Sequence, residues 1–206
     1  MAVPPPQQVS SALPADEPVE LQRFDIDAEA SSVRVVAKSI AGSHPITAER
    51  FEGFVCYSPS APEHSQVVLS VDMRSVRASP EVLTNTVKGP KLLEVQKYPE
   101  ARFRSSEVQA TAGTNRFRLR GDLFLHGIEA EIEVVLVLQD AANVLVASSD
   151  FQLARATFDL EYKGFLEAFL RDDATVQLRV TARRADSSEG CVKSEARELS
   201  SHGAHQ

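Results

Sequence analysis

The chain predicts an all-β fold of antiparallel strands with one or two short helices. Three observations lead there. Apolar and polar residues alternate with a period of two through most of residues 22–183, the pattern of strands dry on one face and wet on the other. Helical spacing is confined to residues 80–88 and a cluster near 165–171. Eight or nine strands in one domain must bury a common face, which leaves a sandwich or a closed barrel, and closure removes the sheet edges.

Residues 1–20 hold five of the eleven prolines and no aromatic residue, and read as a disordered Pro-rich leader. Strands follow at 22–27, 32–40 and 50–57. In 67–73, Val67, Leu69, Val71 and Met73 share one face. Residues 80–88 place Val82, Leu83, Thr86 and Val87 at helical spacing, with Ser79 as cap, Pro80 in the first turn and Gly89-Pro90 as the stop. Strands resume at 101–108 and 116–125, where Phe117, Leu119, Gly121, Leu123 and Leu125 lie opposite Arg116, Arg118, Arg120 and Asp122. His126-Gly127 reads as a tight hairpin turn. Beyond it Ile132, Val134, Leu136 and Leu138 oppose Glu131 and Glu133, which face the arginine row across the hairpin. Strands at 144–158 and 176–183 complete the set, with a second helical turn near 165–171 around Leu166, Phe169 and Leu170. Residues 185–206 are polar and read as a disordered tail, so the globular domain is 21–184.

The net charge of −7 falls largely in the two ends: the leader holds −3 and the tail −2. A nearly neutral domain has no general pull on phosphate backbones, so no nucleic-acid partner is expected. No apolar run approaches the roughly 18–20 residues of a membrane-spanning helix, and the first residues have neither a basic nor an apolar signal region. The expected location is therefore cytoplasmic, or periplasmic or extracellular only with a different N-terminus. Cys56 lies in a strand and Cys191 in the polar tail, so both are expected as free thiols. His44, His64 and Cys56 lack metal-ligand spacing, and no metal or cofactor is expected. Nucleophile elbow, P-loop and dinucleotide fingerprints are absent, and Ser31-Ser32 have no sequence-visible base. A non-catalytic protein is expected, and a homodimer is compatible with the sequence.

Residues 88–106 read Lys-Gly-Pro-Lys-Leu-Leu-Glu-Val-Gln-Lys-Tyr-Pro-Glu-Ala-Arg-Phe-Arg-Ser-Ser. Phe24-Asp25-Ile26-Asp27 precedes Ser31-Ser32-Val33, Arg50-Phe51-Glu52-Gly53-Phe54 follows, and Ser75-Val76 comes after Val71-Asp72. Further on stand Leu119-Arg120-Gly121-Asp122-Leu123-Phe124-Leu125-His126-Gly127-Ile128 and Arg155-Ala156-Thr157-Phe158. Together, over about 22–182, these resemble the YceI family of lipocalin-like polyisoprenoid-binding proteins. Ala30, Thr84-Asn85-Thr86, Leu92, Leu93 and Asp159 stand where the family tends to carry His, Asp-x-His, aromatics and Gly.

The resemblance implies a lipocalin-like barrel with an apolar channel for a long isoprenoid chain, and binding or transport without catalysis. Alternation by itself is met equally by a hollow barrel and by a filled one acting as an interaction module; Gly53 and Gly121 on inward faces would leave room in the former. The expected channel lining is Val35 and Phe51, then Val67, Leu69, Val71 and Phe103, then Phe117, Leu119, Leu123 and Leu125. Val134, Leu136, Phe151, Leu153 and Leu178 continue it, and Arg155, in register with Phe151 and Leu153, is the candidate head-group contact.

Overall fold

The computed structural model describes residues 19–40, 42–113, 115–141, 143–160 and 170–191. Its strands are β1 (Gln22–Ile26), β2 (Ser32–Ser39), β3 (Gly42–Ala48), β4 (Phe51–Tyr57), β5 (Gln66–Asp72) and β6 (Val76–Ala78). After the helix α1 (Thr84–Lys88) come β7 (Glu100–Ala110), β8 (Arg116–Leu125), β9 (Ile128–Ala141), β10 (Val144–Ala154) and β11 (Leu170–Arg184). All pairings are antiparallel. The order β1-β4-β5-β7-β8-β9-β10-β11, with β11 returning to β1, closes an eight-stranded barrel.

β2 takes over along β11 where β1 leaves it. Ile26 pairs with Ala182, and Val33 pairs with Leu178. Between them the chain bulges at Asp27–Ser31. Ser31 Oγ accepts the Thr181 amide at 2.9 Å and donates to the Asp27 carbonyl at 2.6 Å. The Asp27 carboxylate accepts from Arg183 at 2.7 Å and from the amides of Glu29 and Ala30, which holds its pKa below the usual range. The Ser31 hydroxyl is thus a stitch in the backbone. β2, β3 and β6 form a flap that extends one end of the barrel.

Two strands were not expected. β3 contains Pro45 and lacks alternation, yet it is held on both sides, by β2 and by β6, with the Pro45 carbonyl accepting the Ser79 amide at 2.8 Å. β6 has only three residues. The expected helix at 80–88 is a 3-10 turn, Glu81–Leu83, followed by the five-residue α1. Ser79 does not cap it; Thr84 Oγ1 instead accepts the Ala78 amide at 3.0 Å. Met73, expected to end a strand, begins the 3-10 turn Met73–Ser75, and Arg155–Phe158, expected to extend β10, also forms a 3-10 turn. The expected turn near 165–171 falls outside the described residues up to 169, and Leu170 and Arg171 belong to β11.

The expected leader lies outside the described residues through 18. The expected tail does not begin at 185. Residues 185–191 run over the outer face of β1 and β4, with the Ala185 amide donating to the Arg23 carbonyl and Arg23 donating to the Glu189 carbonyl. Cys191 is disulfide-bonded to Cys56, whose side chain is fully buried, so the expectation of free thiols is corrected. Cys56 faces outward between the inward Val55 and Tyr57, and Arg23, stacked 4.2 Å above the Phe54 ring, helps cover it. Order in this polar stretch comes from contacts with residues more than a hundred positions away, which local composition does not report.

Among the described residues the buried apolar side chains form two clusters. One, at the α1 end, includes Phe51, Val71, Met73, Val76, Val87, Val95, Phe158 and Leu160. The other, at the β1 end, packs Phe24, Tyr57, Leu145 and Ala182, with the Phe24 and Tyr57 rings edge to face at 6.5 Å. The Lys-Tyr-Pro motif fastens the connection from α1 to β7 onto the β8–β9 hairpin. The Tyr98 ring stacks edge-on against His126 at 4.6 Å, over Gly127, where a Cβ would come within 2.5 Å of it. His126 and Gly127 both have positive φ, as a two-residue hairpin turn requires.

Candidate functional site

The inner faces of the strands enclose a cavity of about 660 Å³. That is far more than the ~30 Å³ a water molecule occupies and is in the range of small-molecule pockets. Fifteen of the sixteen expected residues line it: Val35, Val67, Leu69, Val71, Phe103, Phe117, Leu119, Leu123, Leu125, Val134, Leu136, Phe151, Leu153, Arg155 and Leu178. The alternation places them there because residues two apart share a face. Phe51 is the exception. It opens β4 opposite Val71 and is buried in the packed cluster with Met73 and Val76, so it supports the wall without forming it.

The inward glycines do not leave room for a ligand, contrary to expectation. A Cβ at Gly53 would stand 2.2 Å from the Val68 carbonyl oxygen, and one at Gly121 would stand 2.3 Å from that of Arg104. The neighbouring backbone occupies those places, as at the tight bends of a small barrel. The cavity exists because the facing walls stand apart.

The wall is asymmetric in polarity and exposure. Among the described residues no Asp or Glu lines the cavity, and the charged lining residues are Lys38, Arg155 and Arg171. All three lie at the α1 end. Among the described residues the four exposed lining residues, Lys38, Ile40, Thr86 and Arg171, are at that end as well, which identifies the mouth. At the β1 end Tyr57, Leu145 and Ala182 are both lining and buried. Burial, and to a lesser degree the Asp140 carboxylate, push the Tyr57 phenol pKa upward.

Arg155 points inward, as its register implies, and is 7% exposed. Its Nε donates to the Arg171 carbonyl at 2.8 Å and its Nη1 to the Leu160 carbonyl at 2.6 Å. These bonds give the buried cation a structural duty, tying the chain after β10 to the start of β11. Near the mouth, His44 Nε2 lies 3.0 Å from Ser39 Oγ, while the buried Nδ1 has no hydrogen-bond partner. On the outside, Glu133 lies within 3.2 Å of both Arg118 and Arg120, so these two arginines are ion-paired across the hairpin as expected, whereas Glu131 stands opposite Asp122. Among the described residues no group of His, Cys, Asp and Glu could hold a metal ion, and no helix is long and apolar enough to cross a membrane.

Sequence reasoning missed Ile26, Val33, Tyr57, Leu145 and Ala182 on expected strands, Pro62 and Ser65 at a 3-10 turn, and two further parts of the wall. His44, Ile46 and Ala48 belong to the unexpected β3. Leu83, Thr86, Leu92 and Leu93 come from the segment around α1. Leu92 and Leu93 carried a usable signal, since they stand where the resembling family tends to carry aromatics.

Comparison with known proteins agrees with this geometry. A UPF0312 protein of Vibrio cholerae is 32% identical over 78 residues, which are 38% of this chain and 41% of that protein, so the match spans less than half of the relative. The fold of BcnA from Burkholderia cenocepacia superposes with a TM-score of 0.71 at 19% identity, covering 76% of this chain and 99% of that one. A polyisoprenoid binding domain from Saccharophagus degradans superposes with a TM-score of 0.62 at 17% identity, covering 80% of this chain and 99% of that one. The YceI-like domain model matches residues 24–182, the span that builds both the barrel and its cavity, and the chain belongs to the YceI-like domain family.

Proposed function

We propose that this protein is a carrier or sequestering protein for an isoprenoid-type lipid, which it holds inside the barrel, and that it is not an enzyme. The observation that carries this reading is the cavity itself, about 660 Å³ with walls almost wholly aliphatic and aromatic. A flexible branched hydrocarbon chain matches such a space, because the hydrophobic effect is non-directional and needs no placed hydrogen bonds. Burying about 400 Å² of apolar ligand at ~25 cal/mol/Å² gives about 10 kcal/mol gross, reduced by several kcal/mol of ordering. Micromolar or tighter binding follows.

A polar head would rest at the mouth, beside Lys38, Arg171 and His44, with Arg155 behind them. The similarity to a polyisoprenoid binding domain supports the ligand class. The absence of catalysis is supported by the duties of the candidate groups: Ser31 stitches a strand bulge and Arg155 holds backbone carbonyls. The Cys56–Cys191 disulfide supports work in an oxidising compartment, in place of the cytoplasm expected from the sequence.

Mass spectrometry of organic extracts from freshly purified protein tests the reading. A co-purifying isoprenoid lipid, released stoichiometrically and displaced by a hydrophobic dye, is the expected result. Protein that yields no lipid and takes up no dye would contradict it and favour an interaction module.

A further inference from the structure

We propose that the mouth of the barrel docks directly on an anionic lipid bilayer, with Ile40 and Val82 inserting among the head groups; this rests on the lipid-carrier reading above. Ile40 is 80% exposed and Val82 79% exposed, whereas the other exposed large aliphatics among the described residues, Val135, Val137 and Val146, are at 37–40%. The topology puts the exposed pair on one rim. β3 runs away from the β2–β3 hairpin tip that carries Ile40, and β6 runs back beside it, with Ile46 opposite Ala78 and the Ser79 amide on the Pro45 carbonyl. The chain leaving β6 therefore travels toward that same tip, and Val82 sits in the 3-10 turn it reaches.

Ile40 and the neighbour of Val82, Leu83, also line the cavity, so apolar surface runs without a break from the rim into the interior. Surface of this kind is what a membrane interface accepts. The charges fit the same partner. Among the described residues the exposed charged residues of the cavity wall are Lys38 and Arg171, both cations at the mouth. Of the nearby acids, Glu81 is held by Arg77 at 3.0 Å, while Asp172 and Asp173 adjoin Arg171. Asp172 and Asp173 offset Lys38 and Arg171 in formal charge, so electrostatic attraction is confined to the two cations on the cavity wall and the aliphatic pair supplies most of the attraction. A carrier whose cargo resides in membranes gains a continuous apolar route when its mouth lies on the bilayer, and the cargo need not cross water.

Vesicle flotation with the full chain tests this, using phosphatidylcholine vesicles and vesicles of two parts phosphatidylcholine to one part phosphatidylglycerol. The wild type should float with both, more with the anionic vesicles. Val82→Asp and Ile40→Asp should each weaken partitioning roughly tenfold or more. Lys38→Gln should weaken it about fivefold, and only on the anionic vesicles. Binding of the dye N-phenyl-1-naphthylamine in the absence of vesicles separates this proposal from the carrier reading. Val82 is not on the cavity wall, so Val82→Asp should bind the dye as the wild type does. A wild type that binds dye but stays in the aqueous phase with both vesicles overturns docking alone, as does Val82→Asp floating like the wild type. A wild type that binds no dye overturns the carrier reading and docking with it.

Discussion

At the β1 end of the barrel Phe24, Tyr57, Leu145 and Ala182 are packed to 9% exposure or less, while at the α1 end Lys38, Ile40, Thr86 and Arg171 carry the cavity wall out to solvent. Both ends are made from the same alternating strands. They differ in what the strands present as they finish. At the β1 end two aromatic rings meet edge to face, and Leu145 and Ala182 are buried in the same cluster. At the α1 end β2, β3 and β6 prolong the wall past the packed cluster, and the wall ends in cations and exposed aliphatics. Alternation makes a wall; a vessel with one opening also needs a plug of large side chains at the other end.

Substitutions at the two ends should therefore differ in kind. Phe24→Ala removes a ring that is 1% exposed and should cost about 3–5 kcal/mol of stability, read from denaturant unfolding. Opening the disulfide should come next. The Cys56→Ser/Cys191→Ser pair releases a link between residues 135 apart and should cost about 2–4 kcal/mol. Thiol titration of the wild type under denaturing, non-reducing conditions should count no free thiol, and a count of two would remove this link from the account. At the mouth, Leu93→Ala trims a half-buried side chain that faces the cavity. It should cost less than the ~2 kcal/mol lower bound for such a change in a packed core, yet weaken lipid binding measurably. If Leu93→Ala proved as destabilising as Phe24→Ala, the two ends would be equally packed and the comparison would fail.

The ends should also respond to opposite extremes of pH. At the end of β5, on the mouth side, the Arg50 guanidinium holds the Asp72 pKa down to about 2, helped by the Arg74 amide. The folded state thus favours the charged carboxylate. Its contribution is complete above the ordinary carboxylate pKa of about 4 and is lost as pH falls toward 2. Tyr57, at the plugged end, has its pKa raised, so the fold favours the neutral phenol. That contribution is complete below the ordinary tyrosine pKa of about 10 and is lost as pH rises past it. Hydrogen exchange should show the Met73–Ser75 turn loosening first in acid and β4 near Tyr57 loosening first in alkali. These effects are expected to be the smallest, because Asp72 is partly solvated.

The wall was legible in the sequence because one inner face carries Val67, Leu69 and Val71 and another Leu119, Gly121, Leu123 and Leu125, each set spaced two residues apart. β3 was not, because Pro45 and His44 break the alternation and its pairing is fixed by β2 and β6, distant in the chain. The mouth was legible only in part. Arg155 could be placed inward from its register with Leu153, but its carbonyl partners lie on segments whose approach is a property of the closed barrel. The pairing of Cys56 with Cys191 was hidden for the same reason: residues 185–191 are ordered by Arg23 and Phe54, and nothing in their own composition implies it. Gly53 and Gly121 show the converse, since their inward positions were readable while the backbone that fills them was not.

The most direct test of the central claim, that the barrel is hollow and takes a lipid, is polyprenol titration of wild type and Leu123→Trp alongside their melting curves. Leu123 lies mid-strand on the cavity wall and is half-buried. A hollow barrel predicts that the wild type binds, that the indole fills the space and cuts affinity roughly tenfold or more, and that the melting temperature moves by only a few degrees. A wild type that binds nothing, together with a variant destabilised by the ~1–3 kcal/mol of an overpacked core, would contradict it.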